Sequence, residues 1–269
     1  MDTAAARPGA DDPAGSASQP PSPSRPAPKG ERHEPPDHVV IAIDGPSGSG
    51  KSTVARRVAQ RLGLRYLDTG AMYRAVAWQA LQDALDLTST DDLEALASRI
   101  SLTAGTNPRR PGIAVNGVDV SGRIRSREVT NAVSAVSASP AVRARLLDIQ
   151  RSVIGAGGIV VEGRDIGTTV VPDAPVKVFL TASGDARAAR RHRQLARQDP
   201  GAGLARTRDE LASRDERDSS RAASPLVRAA DAFEIDSTDL SLGDVIAAVL
   251  ERCRTAGVAT TRRRPVAAP

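Results

Sequence analysis

Lys51 and Ser52 close the run GPSGSGKS, Gly45 to Ser52, which fits the pattern G-x-x-x-x-G-K-[ST]. These residue types, in this order, suit a chain of phosphates. Glycines let the backbone curl with its N–H groups turned inward, and a following helix N-terminus adds a favourable dipole. A lysine ammonium reaches the outer phosphates, and a serine hydroxyl can ligate Mg2+. Such a loop needs a strand before it and a helix after it. Val39 to Ile43 is short, apolar and mostly β-branched, the signature of a buried parallel strand. From Ser52 to Leu62, the residues Val54, Ala55, Val58, Ala59 and Leu62 fall on one helical face. A chance Gly/Ser loop does not explain why Lys-Ser opens an amphipathic helix. The expected chemistry is nucleoside-triphosphate binding. Asp44, at the end of the strand, is placed to touch Mg2+ through water.

A phosphate donor needs an acceptor, and arginine is the residue whose forked guanidinium holds an acceptor's phosphate best. The chain has 269 residues, with 37 Lys+Arg against 32 Asp+Glu, a net charge of +5 and a pI near 10.1. Its only lysines are Lys29, Lys51 and Lys177, so the basic residues are overwhelmingly arginine. Arg74, Arg125, Arg143, Arg164, Arg214 and Arg221 follow strands or lie on facing helices. Taken singly, each also reads as a solvated or ion-paired surface residue. Arg164 stands apart, because it sits in a Gly-bounded turn after a buried strand. Asp165 and Asp218 share the ambiguity of the arginines.

Composition excludes other classes. A nucleic-acid binder should show a basic stripe with stacking aromatics, but aromatics are 2% and the arginines recur among acids. Cys253 is the sole cysteine, so no intramolecular disulfide forms, and the three histidines have no zinc-like spacing. No apolar run reaches membrane-spanning length, and the N-terminus has no hydrophobic signal core. The chain reads as a cytosolic, soluble protein.

Around the loop the elements alternate. Residues 1–37 are Pro, Ala, Ser and Gly with scattered charge, a composition for a disordered tail, and residues 255–269 read the same way. Between them lies one α/β unit, residues 38–254. Strands are expected at Leu64–Leu67, Gly158–Val161, Val176–Leu180 and Ala232–Ile235. Helices are expected at Ala71–Leu85, with Tyr73 and Arg74 in the first turn, and at Asp91–Ile100, Ser126–Ala138 and Pro140–Ile154. Further helices read at Ala182–Ala196, Arg206–Ala223 and Ser241–Cys253. Asp68 or Thr69 can cap the second helix. Residues 101–120 break the alternation with short strands and Asn116-Gly117, a strong hairpin signal. The whole predicts a parallel, doubly wound sheet with a small inserted β-containing subdomain, its sites outside the strand carboxyl ends.

The strings IAIDGPSGSGKST, YLDTGAMYR, NAVSAVSASPAVR, VEGRDIGTTVVPDAPVKVFL, RDERDSSR and IDSTDLS resemble bacterial cytidylate kinases, P-loop nucleoside-monophosphate kinases, over about Val39 to Leu250. The resemblance implies an enzyme that moves the γ-phosphoryl group of ATP to CMP or dCMP, with Mg2+. It implies a monomer with no nucleic-acid or membrane partner. Gly45, Pro46, Ser47, Gly48, Ser49, Gly50, Lys51, Ser52 and Thr53 would hold the ATP phosphates, with Ser52 and Asp44 at the metal. Thr69, Arg74, Arg164 and Arg221 would surround the CMP phosphate, and Arg125 belongs to the same substrate set. Ser134, Arg143 and Asp165 would read the cytosine edge, and Arg214 and Asp218 the acceptor phosphate and sugar. Lys51, Arg164, Arg214 and Arg221 would stabilise the transferring group. Arg190 resembles a lid arginine facing ATP, in a lid at about 187–206 hinged near Gln198–Gly203. The insert would be the monophosphate-binding subdomain. Glu162 stands where aspartate is frequent, and Thr69 where serine is frequent; both keep their chemical type.

Two readings compete. One is another small P-loop kinase, acting on adenylate, shikimate or dephospho-coenzyme A. The other is a GTPase-like switch: Asp119 to Gly122 matches D-x-x-G, but it lies in the β insert and no N-K-x-D follows.

Overall fold

The computed structural model describes residues 38–195, 203–221 and 224–258. Five parallel strands form the main sheet: β1 (Val40–Asp44), β2 (Arg65–Asp68), β6 (Ile159–Glu162), β7 (Val176–Thr181) and β8 (Phe233–Asp236), in the order β2-β6-β1-β7-β8. The strand that feeds the phosphate loop is therefore central. A second sheet of three antiparallel strands comprises β3 (Leu102–Ala104), β4 (Ile113–Val115) and β5 (Val118–Asp119).

Side-chain alternation in the strands divides the core. Val40, Ala42, Leu67, Ile159 and Val161 point to one face, and Val39, Ile41, Ile43, Tyr66 and Val160 to the other. The first face is covered by α2 (Thr69–Gln82), α3 (Thr90–Arg99), α4 (Arg127–Ala138) and α5 (Pro140–Ile154). The second is covered by α1 (Lys51–Leu62) and α8 (Leu242–Thr255). Two further helices, α6 (Gly184–Leu195) and α7 (Leu204–Ser219), pack on each other beyond β7. Ile113, Val115 and Val120 of the insert join the same core cluster as α2, so the insert is continuous with the main body. Its hairpin turns through Asn116 and Gly117, both at positive φ (+49° and +82°), as the Asn-Gly pair predicts.

Several helices begin where the sequence places a cap. Asp68, not Thr69, caps α2 by accepting from the Ala71 N–H at 2.9 Å. Tyr73 and Arg74 consequently fall in the second turn of α2 rather than the first. Ser139 caps α5, with Pro140 in its first turn. Unanticipated is a π-helical turn at Ile166–Val170. The Asp44 carboxylate makes it possible by accepting from the N–H groups of Ile166 (2.9 Å) and Gly167 (2.8 Å). The expected hinge at Gln198–Gly203 lies outside the described residues except for Gly203, which caps α7.

Among the described residues, no helix is long and apolar enough to cross a membrane. Cys253 sits on the apolar face of α8 beside Val249, and burial pushes its thiol up to about 12. Native protein at pH 8 should react with a thiol reagent at least about 10³-fold more slowly than the urea-unfolded chain, since the thiolate is the nucleophile. Comparable rates would show that α8 is not docked on α1.

Candidate active site

Every parallel strand ends on the same edge of the sheet, and the loops at that edge meet. Gly45 leaves β1 at φ +143°, where a Cβ would lie 2.0 Å from the Leu180 carbonyl oxygen, so only glycine fits between β1 and β7. The loop then curls into α1, whose first residue is Lys51. The Lys51 ammonium is buried and donates to the Pro46 carbonyl at 2.7 Å. Burial, then the Arg164 charge, pulls its pKa well below the ordinary lysine value. Ser52 donates to Glu162 Oε2 at 2.9 Å, and the Tyr66 hydroxyl donates to Glu162 Oε1. Glu162 ends β6, and burial followed by the Asp68 charge raises its pKa. Thr69 donates to the Glu162 carbonyl at 2.7 Å, so α2 is tied to the same strand end. Asp44 is raised to about 6 by burial, against the two backbone N–H groups it holds.

Ser47 is the junction between this loop and the arginines. Its hydroxyl accepts from Arg164 at 2.9 Å, its carbonyl from Arg187 at 3.1 Å, and its N–H donates to Asp215 at 3.1 Å. Arg187 and Asp215 also pair with each other. Arg164 reaches on to Asp218 at 3.0 Å, and Asp218 accepts from Arg221 at 2.6 Å. Asp218 thus joins two arginines that the sequence leaves far apart, and their charges hold its carboxyl below the usual range against its burial.

Beyond that junction, several arginines among the described residues crowd one another. Burial and the neighbouring Arg214 pull Arg74 down to about 9; burial and Arg164 pull Arg214 down to about 10. Arg191, on α6, is lowered by burial and by Arg125. Among the described residues, the Nε atoms of Arg214 and Arg221 are buried without a hydrogen-bond partner. Like charges crowded in this way suit a polyanion, which would supply the missing partners.

Arg143 pairs with Asp165 and also donates to the Ser137 carbonyl at 3.3 Å. Its guanidinium lies 5.5 Å from the Tyr73 ring centroid. Arg143, Asp165, Tyr73 and Gln150 line a cavity of about 160 Å³. A larger cavity of about 500 Å³ is lined by Trp78, Arg123 and Arg125 among others, and neither cavity includes a residue of the phosphate loop. We take the smaller as part of the site, because it adjoins the arginine cluster through Arg143 and Arg221, both within reach of Ser137.

The structure brings together most of the residues singled out from sequence and sets some apart. Arg74 bonds to Thr130 at 2.8 Å, and Arg125, itself exposed, pairs with the half-buried Asp68. Ser134 does not line the small cavity; Ser137 contacts Arg143 and Arg221 instead. The guanidinium of Arg190 is spent on the Ser237 hydroxyl (2.9 Å) and the Ser237 and Thr238 carbonyls. Arg187, one turn earlier, is the α6 arginine on the phosphate loop. Sequence reasoning missed Arg187, Arg191, Asp215 and Gln150, and met Glu162 only as a departure from a pattern.

The chain matches the family model described as cytidylate kinase over residues 41–255. It is 52% identical to the cytidylate kinase of Streptomyces avermitilis over 214 residues, covering 79% of this chain and 91% of that one. To the cytidylate kinase of Streptomyces coelicolor it is 53% identical with the same coverage. Among solved structures, the shikimate kinase of Acinetobacter baumannii in complex with shikimate overlaps with a TM-score of 0.40 at 15% identity, over 81% of this chain and 95% of that one.

Proposed function

The chain belongs to the cytidylate kinase family, and we propose that its phosphate loop holds ATP while Arg164, Arg214 and Arg221 hold the phosphate of CMP or dCMP. The reaction moves the γ-phosphoryl group of ATP to that phosphate, giving ADP and CDP or dCDP. The observation that carries the division of labour is the Arg164–Ser47 bond of 2.9 Å, which sets the acceptor arginines directly against the donor loop. The three-stranded insert, sharing its core with α2, acts as the monophosphate-binding extension.

Transfer between two anions needs positive charge between them and reactants held in line. An oxygen of the CMP phosphate attacks the γ-phosphorus, and the bond to the β,γ-bridging oxygen breaks. No protein nucleophile takes part. Lys51 offsets the growing charge on the donor side, and the arginines do so on the acceptor side. Arg187 bonds the Ser47 carbonyl and pairs with Asp215, so it clamps α6 and α7 over the loop and helps keep water out.

Mg2+ fits the oxygens at the end of β6. Ser52 and Glu162 are hard donors 2.9 Å apart beside Lys51, and a site with few protein ligands is what an ion shared with substrate phosphates requires. Ser52 would hold it directly, with Glu162 and Asp44 acting through water. When bound, it supplies charge neutralisation on the β- and γ-phosphates.

Cytosine offers N4–H₂ as a donor and N3 and O2 as acceptors. The pocket beside Arg143 and Asp165 carries the complementary acceptor and donor. A coupled ADP-release assay with CMP, dCMP, UMP, AMP, GMP and shikimate at equal concentration should give kcat/KM at least about 10-fold higher for CMP or dCMP than for the rest. A panel led by AMP or shikimate would overturn the reading.

A further inference from the structure

Gln150 lies on α5, two turns after Arg143 and on the same helix face, with Leu147 between them. It is 2% exposed, yet its side chain lines the small cavity. Among the described residues its Nε2 has no hydrogen-bond partner. A buried amide N–H left unpaired carries its full desolvation penalty, and native interiors seldom tolerate one without a reason. Arg143 only donates, one oxygen of Asp165 is taken by Arg143, and Leu147 and Val170 are apolar; the Tyr73, Thr169 and Ser224 hydroxyls also line the cavity, but none closes a hydrogen bond of ordinary geometry to Nε2. A well-aligned acceptor would come with whatever fills the cavity.

We propose that Gln150 is a base-reading residue whose amide donates to O2 of the pyrimidine. The inference rests on the reading of this pocket as the base site. The base edge has room for it: Asp165 accepts from N4, Arg143 donates to N3, and O2, with two lone pairs, accepts from Gln150 whether or not the Arg143 fork also reaches it. CMP and UMP share O2, so Gln150 recognises a pyrimidine while Asp165 separates cytosine from uracil. The Tyr73 phenol sits beside the amide and is the wall group placed to accept from it when the cavity is empty; burial pushes the phenol up to about 12, with Arg143 and Gln150 acting in the opposite direction.

The test replaces Gln150 with methionine, of similar length and without polar atoms, and with glutamate, which turns the donor into an acceptor. Gln150→Met should raise KM about 10-fold for CMP and UMP alike, with kcat within threefold and the CMP/UMP ratio of kcat/KM unchanged. The melting temperature of the free protein should stay level or rise, because an unpaired buried amide is gone. Gln150→Glu should raise both KM values further. A structural glutamine would behave in the opposite way: a melting temperature several degrees lower, or an unchanged KM in the methionine variant, overturns the proposal. Asp165→Asn is measured alongside. If it shifts the CMP/UMP ratio while Gln150→Met leaves both KM values alone, Gln150 is excluded and the pocket reading stands. If it shifts nothing, the pocket is not the base site, and both readings fall.

Discussion

Lys51→Ala lowers kcat at saturating ATP and CMP by on the order of 10²-fold or more, about 3 kcal/mol of transition-state stabilisation. The Lys51 ammonium is buried at the first turn of α1, tethered to the Pro46 carbonyl at 2.7 Å, and flanked by Glu162, Asp44 and Arg164. In the nucleotide-free protein it is an uneasy cation, its pKa pulled down by burial and by Arg164. A triphosphate bound in the loop would remove that frustration, since its anionic oxygens would favour the charged lysine, and most so as charge builds toward the leaving group. The effect therefore falls on kcat rather than on folding. Removing a buried, poorly compensated ammonium should leave the melting temperature within a few degrees of wild type. Steady-state kinetics with both substrates saturating, together with a thermal melt, decide the matter. A variant within threefold of wild type would remove Lys51 from the chemistry, and a large drop in melting temperature would make it structural.

What sequence revealed of this site depended on whether the information was local. The phosphate loop is contiguous, and its strand and helix carry their own periodicities, so β1, the loop and α1 were all legible. The insert's hairpin was legible because Asn116 and Gly117 are the residue types that accept positive φ. Arg187, Asp215 and Gln150 were not. On a helix as charged as α7, Asp215 looks like any solvated carboxylate, and only the packing of α7 on α6 sets it against the Ser47 N–H. The same packing, rather than spacing along α6, selects Arg187 over Arg190. The π-helical turn after β6 was hidden for a similar reason. Its N–H groups are held by Asp44, more than a hundred residues earlier, and TTVV in isolation reads as extended chain. Glu162 was seen as a residue of the right type; its bonds to Ser52 and Tyr66, each from a different strand–loop unit, required the sheet order β2-β6-β1.

Arg221→Ala and Asp165→Asn should damage the enzyme in different ways, although the two residues lie close together around Ser137 and Arg143. Arg221 is bonded to Asp218 and through it to Arg164, which groups it with the arginines proposed to hold the acceptor phosphate. Every nucleoside monophosphate carries the group it would hold. Its loss should lower kcat/KM for CMP and UMP alike, by about 10²-fold, and leave their ratio unchanged. Asp165 is buried in the lining of the small cavity, held by Arg143 on one side and by the turn that Asp44 fixes on the other. A carboxylate there accepts from cytosine N4–H₂ but faces O4 in uracil, acceptor against acceptor, so wild type should favour CMP. Asparagine can donate as well as accept, which relaxes that opposition. A good base contact is worth about 1–3 kcal/mol, so the CMP/UMP ratio should fall roughly 10-fold or more in Asp165→Asn. Part of the loss in absolute rate will be common to both substrates, since Arg143 loses its charged partner; the ratio isolates the base. The measurement is kcat/KM for CMP and UMP in both variants. Equal losses in Asp165→Asn would move Asp165 to orienting Arg143 or the metal, and a changed ratio in Arg221→Ala would bring Arg221 to the base edge.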